Sequence, residues 1–164
     1  MSAAGPPQGA KAPLGGSEVH AVTSVGACVV LDTNIVLDAF VFSDPATLAL
    51  RAGLQDGSLQ WIATGAMRVE LSRVLGYPQI VPRLAFYGLQ AGEVLAAFDR
   101  HALAVDAAAK ASVTCSDPDD QIFIDLAVRH RCALLSKDRA VLKMRKRLLA
   151  LGVRAGAALT ALPA

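Results

Sequence analysis

Short apolar blocks alternate with stretches of helical period along most of this chain. Residues 27–31 are an uninterrupted apolar run, the pattern of a central strand buried on both faces. Residues 59–63 read as a second short strand, 103–105 as a weak third and 132–135 as a fourth. Val153 and its neighbours suggest a last one. Between these blocks the pattern is helical. Asp44-Pro45 opens a helix, with Asp as N-cap and Pro at the first helical position, and this helix closes near Asp56-Gly57. Thr64 caps a helix that runs through Glu70 to about Leu75 and stops at Gly76-Tyr77-Pro78. Residues 79–100 read as helical, with breaks at Pro82, Gly88 and Gly92. Asp117-Pro118 opens a helix that reaches about Arg129, and 139–150 form a basic helix. Repeated strand–helix alternation predicts an α/β fold with a parallel sheet covered by helices on both faces.

Composition narrows the picture. The 164 residues suit one domain, and 54% apolar against 18% charged residues is far from the balance of a disordered chain. Aromatics are only 5%, so the core is aliphatic. The longest stretch without Asp, Glu, Lys or Arg is the thirteen residues 19–31. A membrane-spanning helix needs roughly 18–20 apolar residues, so none is expected. The sequence starts without a basic segment leading into an apolar run, which predicts no secretion signal. Seven of the first sixteen residues are Gly or Pro. Residues 1–24 therefore read as a flexible tail and 25–164 as the folded domain. Cys28, Cys115 and Cys132 are odd in number and lack C-x-x-C spacing. They predict neither a disulfide framework nor a thiolate metal site, and read as three buried thiols in a reducing cytoplasm.

Charge is distributed unevenly. The segment 129–154 holds nine basic residues against the single acid Asp138, while the remainder holds seven basic and thirteen acidic residues. A basic segment beside an acidic remainder suits an anionic polymer held near a cation site. A solvated helix face accounts for the basic residues equally well.

The acids carry more information. Ligands of open α/β sheets sit beyond the carboxyl ends of the strands. Asp32 directly follows the first strand, Asp138 follows the fourth, Asp120 lies in the first turn of its helix, and Glu70 lies in the second turn of the helix after the second strand. Singly, each has an ordinary explanation. Asp32 can be a turn residue, Asp117 an N-cap before Pro118, Asp119 and Asp120 complements to a helix dipole, and Glu70 a surface acid. Jointly they place four carboxylates at one edge. Two bare charges about 4 Å apart repel by roughly 4 kcal/mol at an effective dielectric of about 20. Protonation or a cation must relieve this, and oxygen-only ligands suit Mg²⁺ or Mn²⁺. Thr33, Asn34 and Ser136 stand beside these acids and can orient them or a bound water. His20, His101 and His130 read as surface or satisfied histidines.

Four segments resemble the motifs of PIN-domain nucleases. Val29-Val30-Leu31-Asp32-Thr33-Asn34 resembles the opening strand of that family, and 67–75, containing Glu70, resembles its acidic helix. Residues 117–127, beginning Asp117-Pro118-Asp119-Asp120-Gln121, resemble the third motif, and 134–139, containing Ser136-Lys137-Asp138-Arg139, the fourth. The likeness runs from about Cys28 to Leu142 and is nearest to the bacterial subgroup of toxin components of toxin–antitoxin pairs. It implies a Rossmann-like α/β/α sandwich with a central parallel sheet, and a Mg²⁺- or Mn²⁺-dependent ribonuclease leaving 5′-phosphate and 3′-hydroxyl ends. Asp32, Glu70, Asp120 and Asp138 would be the catalytic metal ligands, with Asp117 as a further candidate. Lys137, Arg139, Lys143 and Lys146 of the basic segment would follow the RNA backbone. The resemblance also implies a homodimer, an antitoxin protein whose basic residue enters the acidic pocket, and a cytoplasmic location without membrane contact. The Gly/Pro-rich start departs from the family.

Three alternatives remain at this stage. A PIN-like scaffold can bind RNA without cutting it, and a nuclease of this fold can process RNA without being a toxin. A phospho-accepting receiver domain also gathers acids and a lysine, but it needs paired acids straight after the first strand, and that pattern is missing here.

Overall fold

The computed structural model describes residues 27–163. The expected tail, residues 1–24, lies outside them. The described residues form one five-stranded parallel sheet in the order β3-β2-β1-β4-β5. Its strands are β1 (Ala27–Leu31), β2 (Leu59–Ala63), β3 (Ala102–Ala104), β4 (Ala133–Leu135) and β5 (Ala155–Gly156). The chain builds outward from β1 through β2 to β3, then returns to add β4 on the other side of β1. The order therefore reverses between β1 and β4, and a crevice opens at the carboxyl ends of strands at such a reversal. Val29 and Val30 are consecutive and both fully buried, as are Leu134 and Leu135. Neighbouring strand residues face opposite sides, so helices cover both faces of the sheet. The expected α/β sandwich is the observed one.

The helices are α1 (Thr33–Phe40), α2 (Leu48–Asp56), α3 (Gly65–Leu75), α4 (Val81–Phe86), α5 (Ala91–His101), α6 (Gln121–His130), α7 (Arg139–Leu142) and α8 (Arg145–Ala150). Thr64 caps α3 by accepting from the Met67 amide at 3.4 Å, and Gly57 closes α2 at φ 84°, where a side chain would strain the backbone. Asp44 and Asp117 each cap a short 3₁₀ turn, Pro45–Thr47 and Pro118–Asp120, which leads into α2 and α6. Trp61, the one tryptophan, meets Phe98 edge-on at 4.9 Å and stacks with Phe40 at 5.9 Å, an aromatic group packed around β2.

Several details differ from the sequence expectation. Helix α1 was not expected. It starts at Asp32, whose side chain accepts from the Ile35 amide at 3.0 Å, and it buries Ile35, Val36, Leu37 and Ala39. Residues 79–100 divide into α4 and α5. Pro82 sits in the first turn of α4 rather than breaking it, Gly88 has φ 68° between the two, and Gly92 lies inside α5. The basic helix expected over 139–150 is two short pieces. A continuous helix would stack Arg139, Lys143 and Arg147 at successive i,i+4 positions, and each such like-charge pair costs roughly 0.2–0.5 kcal/mol. The chain tightens at Met144 instead, whose amide donates to Val141 O at 2.9 Å, while Val141, Met144 and Leu148 all stay buried. The last strand is Ala155–Gly156, two residues beyond Val153, which is core.

The cysteine expectation is corrected as well. Cys28 and Cys132 form a disulfide, with their Cα atoms 4.9 Å apart, and Cys115 alone is a free buried thiol. The parallel register that sets Val29 against Ala133 also sets Cys28 beside Cys132. Spacing along the chain gives no hint of this, because the two are separated by 104 positions. A closed loop of this length is the kind that most restricts the unfolded chain. Cys28→Ser, or reduction of the protein, is expected to lower stability by roughly 2–5 kcal/mol. That corresponds to a melting temperature roughly 5–20 °C lower, read by calorimetry with and without dithiothreitol alongside a count of free thiols.

Candidate active site

The carboxyl edge of the sheet at the β1/β4 reversal is built from caps. The Asp32 amide donates to Leu135 O at 3.1 Å, so the ends of β1 and β4 are held together where the chain leaves the sheet. The Asp32 carboxylate accepts from the Ile35 amide on one oxygen and from the Ser136 hydroxyl on the other, through a short hydrogen bond. Ser136 Oγ accepts from the Asp138 amide at 3.0 Å, so this buried hydroxyl ties the Asp32 carboxylate to the Asp138 backbone. Asp138 caps α7 through the Ala140 amide at 2.8 Å. Glu70, in the middle of α3, accepts from Thr33 Oγ1 at 2.6 Å. Helix α3 is pinned to α5 by Arg68, whose guanidinium makes two hydrogen bonds of 2.7 and 2.8 Å to Asp99. Thr33 and Ser136 each donate a hydrogen bond to an acid, and Asn34 is exposed on the cavity wall.

Asp120 is the centre of the arrangement. A cavity of about 360 Å³ is lined by Asp32, Asn34, Glu70 and Asp120 on its polar side and by Leu37, Ile80 and Phe123 on its apolar side. Oxygens of Asp117, Asp120 and Asp138 also lie within 4.8 Å of one another. All four expected acids, and Asp117 with them, therefore converge around Asp120. Asp119 stays outside, exposed to solvent.

The electrostatics follow from this crowding. Burial, a hydrogen bond with the Asp138 carboxyl and the charges of Asp138, Asp117 and Asp32 push the Asp120 pKa up to about 8. A shift of this size keeps Asp120 protonated at neutral pH. Asp120 Oδ2 is buried and has no hydrogen-bond partner among the described residues. A buried orphan acceptor is costly, and a cation removes that cost. Asp32 is also pushed upward, by burial first and then by Asp138, against the lowering effect of Ser136, the Ile35 amide and Lys137. The donor set is all oxygen, converging and negatively charged, which fits a hard divalent ion.

The basic residues divide. Lys137 reaches Asp38 Oδ2 at 2.5 Å, and Asp38 is buried in α1. Lys137 therefore spends its charge within the molecule. Arg139, Lys143 and Lys146 are exposed. His101 stacks on Phe40 at 5.6 Å, in keeping with a packed histidine.

Two acids with structural roles were not singled out from the sequence. Asp38 went unnoticed because its helix did. A lone acid in an otherwise apolar α1 stretch is the signal that marks it. Asp125 is buried in α6, where it accepts from the Ala111 amide and from Gln121 Nε2, each at 2.8 Å. Gln121 in turn accepts from the Cys115 amide at 2.7 Å and donates to Val113 O at 3.0 Å. This network straps 111–115 onto the head of α6 and so sets the approach to Asp117 and Asp120. The Gln121/Asp125 spacing of i,i+4 in the third motif is its trace in the sequence.

Comparison with known proteins agrees with this architecture. Comparison with curated protein sequences finds no match. Among solved structures, the chain is similar to the crystal structure of VapBC2 from Rickettsia felis bound to a DNA fragment from their promoter. The TM-score is 0.52 at 15% identity, covering 78% of this chain and 98% of that one, a likeness of fold. A family model described as PIN domain matches residues 28–140, which takes in all four acidic segments. The chain belongs to the PIN-domain family, whose members are generally nucleases that use divalent metals.

Proposed function

We propose that this protein is a divalent-metal-dependent endoribonuclease and the toxin component of a toxin–antitoxin pair. The observation that carries the reading is the buried, unpartnered Asp120 oxygen, crowded by Asp117 of its own turn and by Asp32 and Asp138 from two other segments. Membership of the PIN-domain family supports nuclease chemistry, and the likeness to VapBC2 supports a toxin in particular. An antitoxin partner and a homodimer belong to the same reading, as does work in the cytoplasm, where RNA is encountered. Among the described residues no helix is long and apolar enough to cross a membrane.

Asp32, Glu70, Asp120 and Asp138 would hold Mg²⁺ or Mn²⁺, with Asp117 as a further ligand. The ion, when bound, supplies neutralising charge, a more acidic water near neutral pH, and stabilisation of charge building on the phosphate. The chain's own part is to position and to hold protons. Ser136 and the Ile35 amide fix the Asp32 carboxylate, Thr33 fixes Glu70, and the Ala140 amide fixes Asp138. These bonds keep mutually repelling groups in place before substrate arrives. Asp120 carries the proton that must leave when the ion binds. The apolar wall of Leu37, Ile80 and Phe123 lowers the local dielectric and strengthens each charge interaction in the cavity. Arg139, Lys143 and Lys146 would follow the RNA backbone.

Asp32→Asn and Asp120→Asn are each expected to reduce Mn²⁺-dependent RNA cleavage by more than about 100-fold. Ser136→Ala, which frees Asp32 without removing a ligand, should cost about 10–100-fold. Gel assays on a labelled RNA, with folding checked by circular dichroism, measure this. Full activity in both Asp variants rejects the site.

A pH dependence follows from Asp120. Its folded pKa of about 8 lies above the ordinary 3.8, so the folded protein binds the extra proton between these values. Its favourable contribution is complete below about pH 4 and is lost as pH rises through about 8. In EDTA the melting temperature should therefore fall from pH 5 toward pH 8.5, and fall less in Asp120→Asn. Mn²⁺ should reverse the fall in the unmutated protein, with an effect that grows as pH rises. Thermal shift across that range, with and without Mn²⁺, reads both.

A further inference from the structure

Beside the acidic cavity lies a second one of about 410 Å³, and the two share Asn34, Leu37 and Ile80 as common walls. Phe42, Arg83 and the Asp38–Lys137 pair also line the second cavity. Here the guanidinium of Arg83 lies 3.7 Å from the centroid of the Phe42 ring. The Phe42 ring is 6.0 Å from Tyr87, and Tyr87 meets Phe86 edge-on at 5.1 Å. Arg83 is exposed, Tyr87 is 44% exposed and Phe86 81% exposed. The chain holds only eight aromatic residues; Phe42 packs with one side against the core, while Tyr87 and Phe86 continue the row into solvent, where core packing does not account for them.

We propose that this row is a base-stacking platform for unpaired RNA, seating the nucleobase next to the phosphate held in the acidic cavity. The inference rests on the nuclease reading above and adds to it the part of the substrate that is gripped. Bases stack on aromatic rings and on arginine guanidinium planes, with little regard to sequence. One face of the Arg83 guanidinium is covered by Phe42, which holds the plane in place for a base on the other. Tyr87 and Phe86 extend the surface toward the next base. The shared walls supply the continuity. A strand whose phosphate occupies one cavity brings its neighbouring base to the other. Lys137 is neutralised by Asp38 and Asp44 adds an acid to the lining, so the guanidinium of Arg83 is the group at this lip that offers an RNA strand both a cation and a planar face. Unpaired RNA is the substrate that fits, because a base already stacked in a duplex has no free face to offer.

The test uses the full-length protein and two labelled probes of equal length, a mixed-sequence single-stranded RNA and an abasic ribose–phosphate strand. Binding is read by fluorescence anisotropy with Ca²⁺ as the hard cation, and cleavage of the RNA is followed in Mn²⁺. The unmutated protein should bind RNA about tenfold or more tightly than the abasic strand. Arg83→Lys keeps the charge and loses the plane. It and Tyr87→Ala should each weaken RNA binding by about tenfold, leave the abasic strand unaffected, and raise KM with kcat unchanged. Equal binding of the two probes, or wild-type RNA affinity in Arg83→Lys, overturns the proposal while leaving the nuclease reading intact. Loss of a co-purifying protein from these variants with RNA affinity unchanged assigns the surface to a protein partner, and also overturns it. If RNA is neither bound nor cut, it is the nuclease reading that fails, and the platform with it.

Discussion

Repulsion among acids that folding drives together is the constraint on which this molecule is organised. Strands β1 and β4 are parallel neighbours because the strand order reverses there, and this brings the groups at their carboxyl ends together. The core under them is ordinary aliphatic packing, and it is this packing that supplies the free energy to hold like charges close. A nuclease fold of this kind works against itself until a counter-charge arrives. The cost is concentrated in one carboxyl group rather than spread evenly.

The helix caps explain why Asp120 is that group. Asp32, Asp117 and Asp138 each stand at the start of a helix or 3₁₀ turn and accept a backbone N–H, so their carboxylates are stabilised by bonds the fold needs in any case. Asp120 also stands at a helix start, that of α6, but its side chain makes no cap bond. It is buried without that help, which leaves it the proton-bearing member of the set. The same residue type therefore caps a helix or turn in three places and stands buried without a cap bond in the fourth. Capping chemistry and ligand chemistry are not rival explanations for the first three, because a carboxylate that caps with one oxygen keeps further lone pairs for a ligand.

Much of this was legible in the sequence. Runs such as 27–31 and 59–63 announce strands because a parallel sheet buried on both faces tolerates few polar positions. Asp32, Glu70, Asp120 and Asp138 announced their edge because strand ends and first turns are local features that topology carries to one place. What the sequence concealed depended on partners distant in the chain or on competition between rules. Helix α1 was hidden behind Asp32-Thr33-Asn34, three residues that read as a turn and prove to be a cap and first turn. The Asp38–Lys137 pair joins elements nearly a hundred positions apart, and no periodicity predicts it. The division of the basic segment at Met144 keeps Val141, Met144 and Leu148 buried on both sides of the break, so hydrophobic patterning does not register it. The Arg83–Phe42 contact similarly joins helix α4 to the bend after α1, whose relative placement only the fold supplies.

The covalent link between Cys28 and Cys132 sits at the opposite ends of the two strands that deliver Asp32 and Asp138. Everything from α1 to the close of α6, including Glu70, Asp117 and Asp120, lies inside the ring it closes. A protease that cut any surface turn within that ring would make two pieces of polypeptide but release neither. The halves would stay tethered through the sheet's central pair of strands, free to dock again in register, and the cut would surface as separate bands only once the sulfurs were reduced.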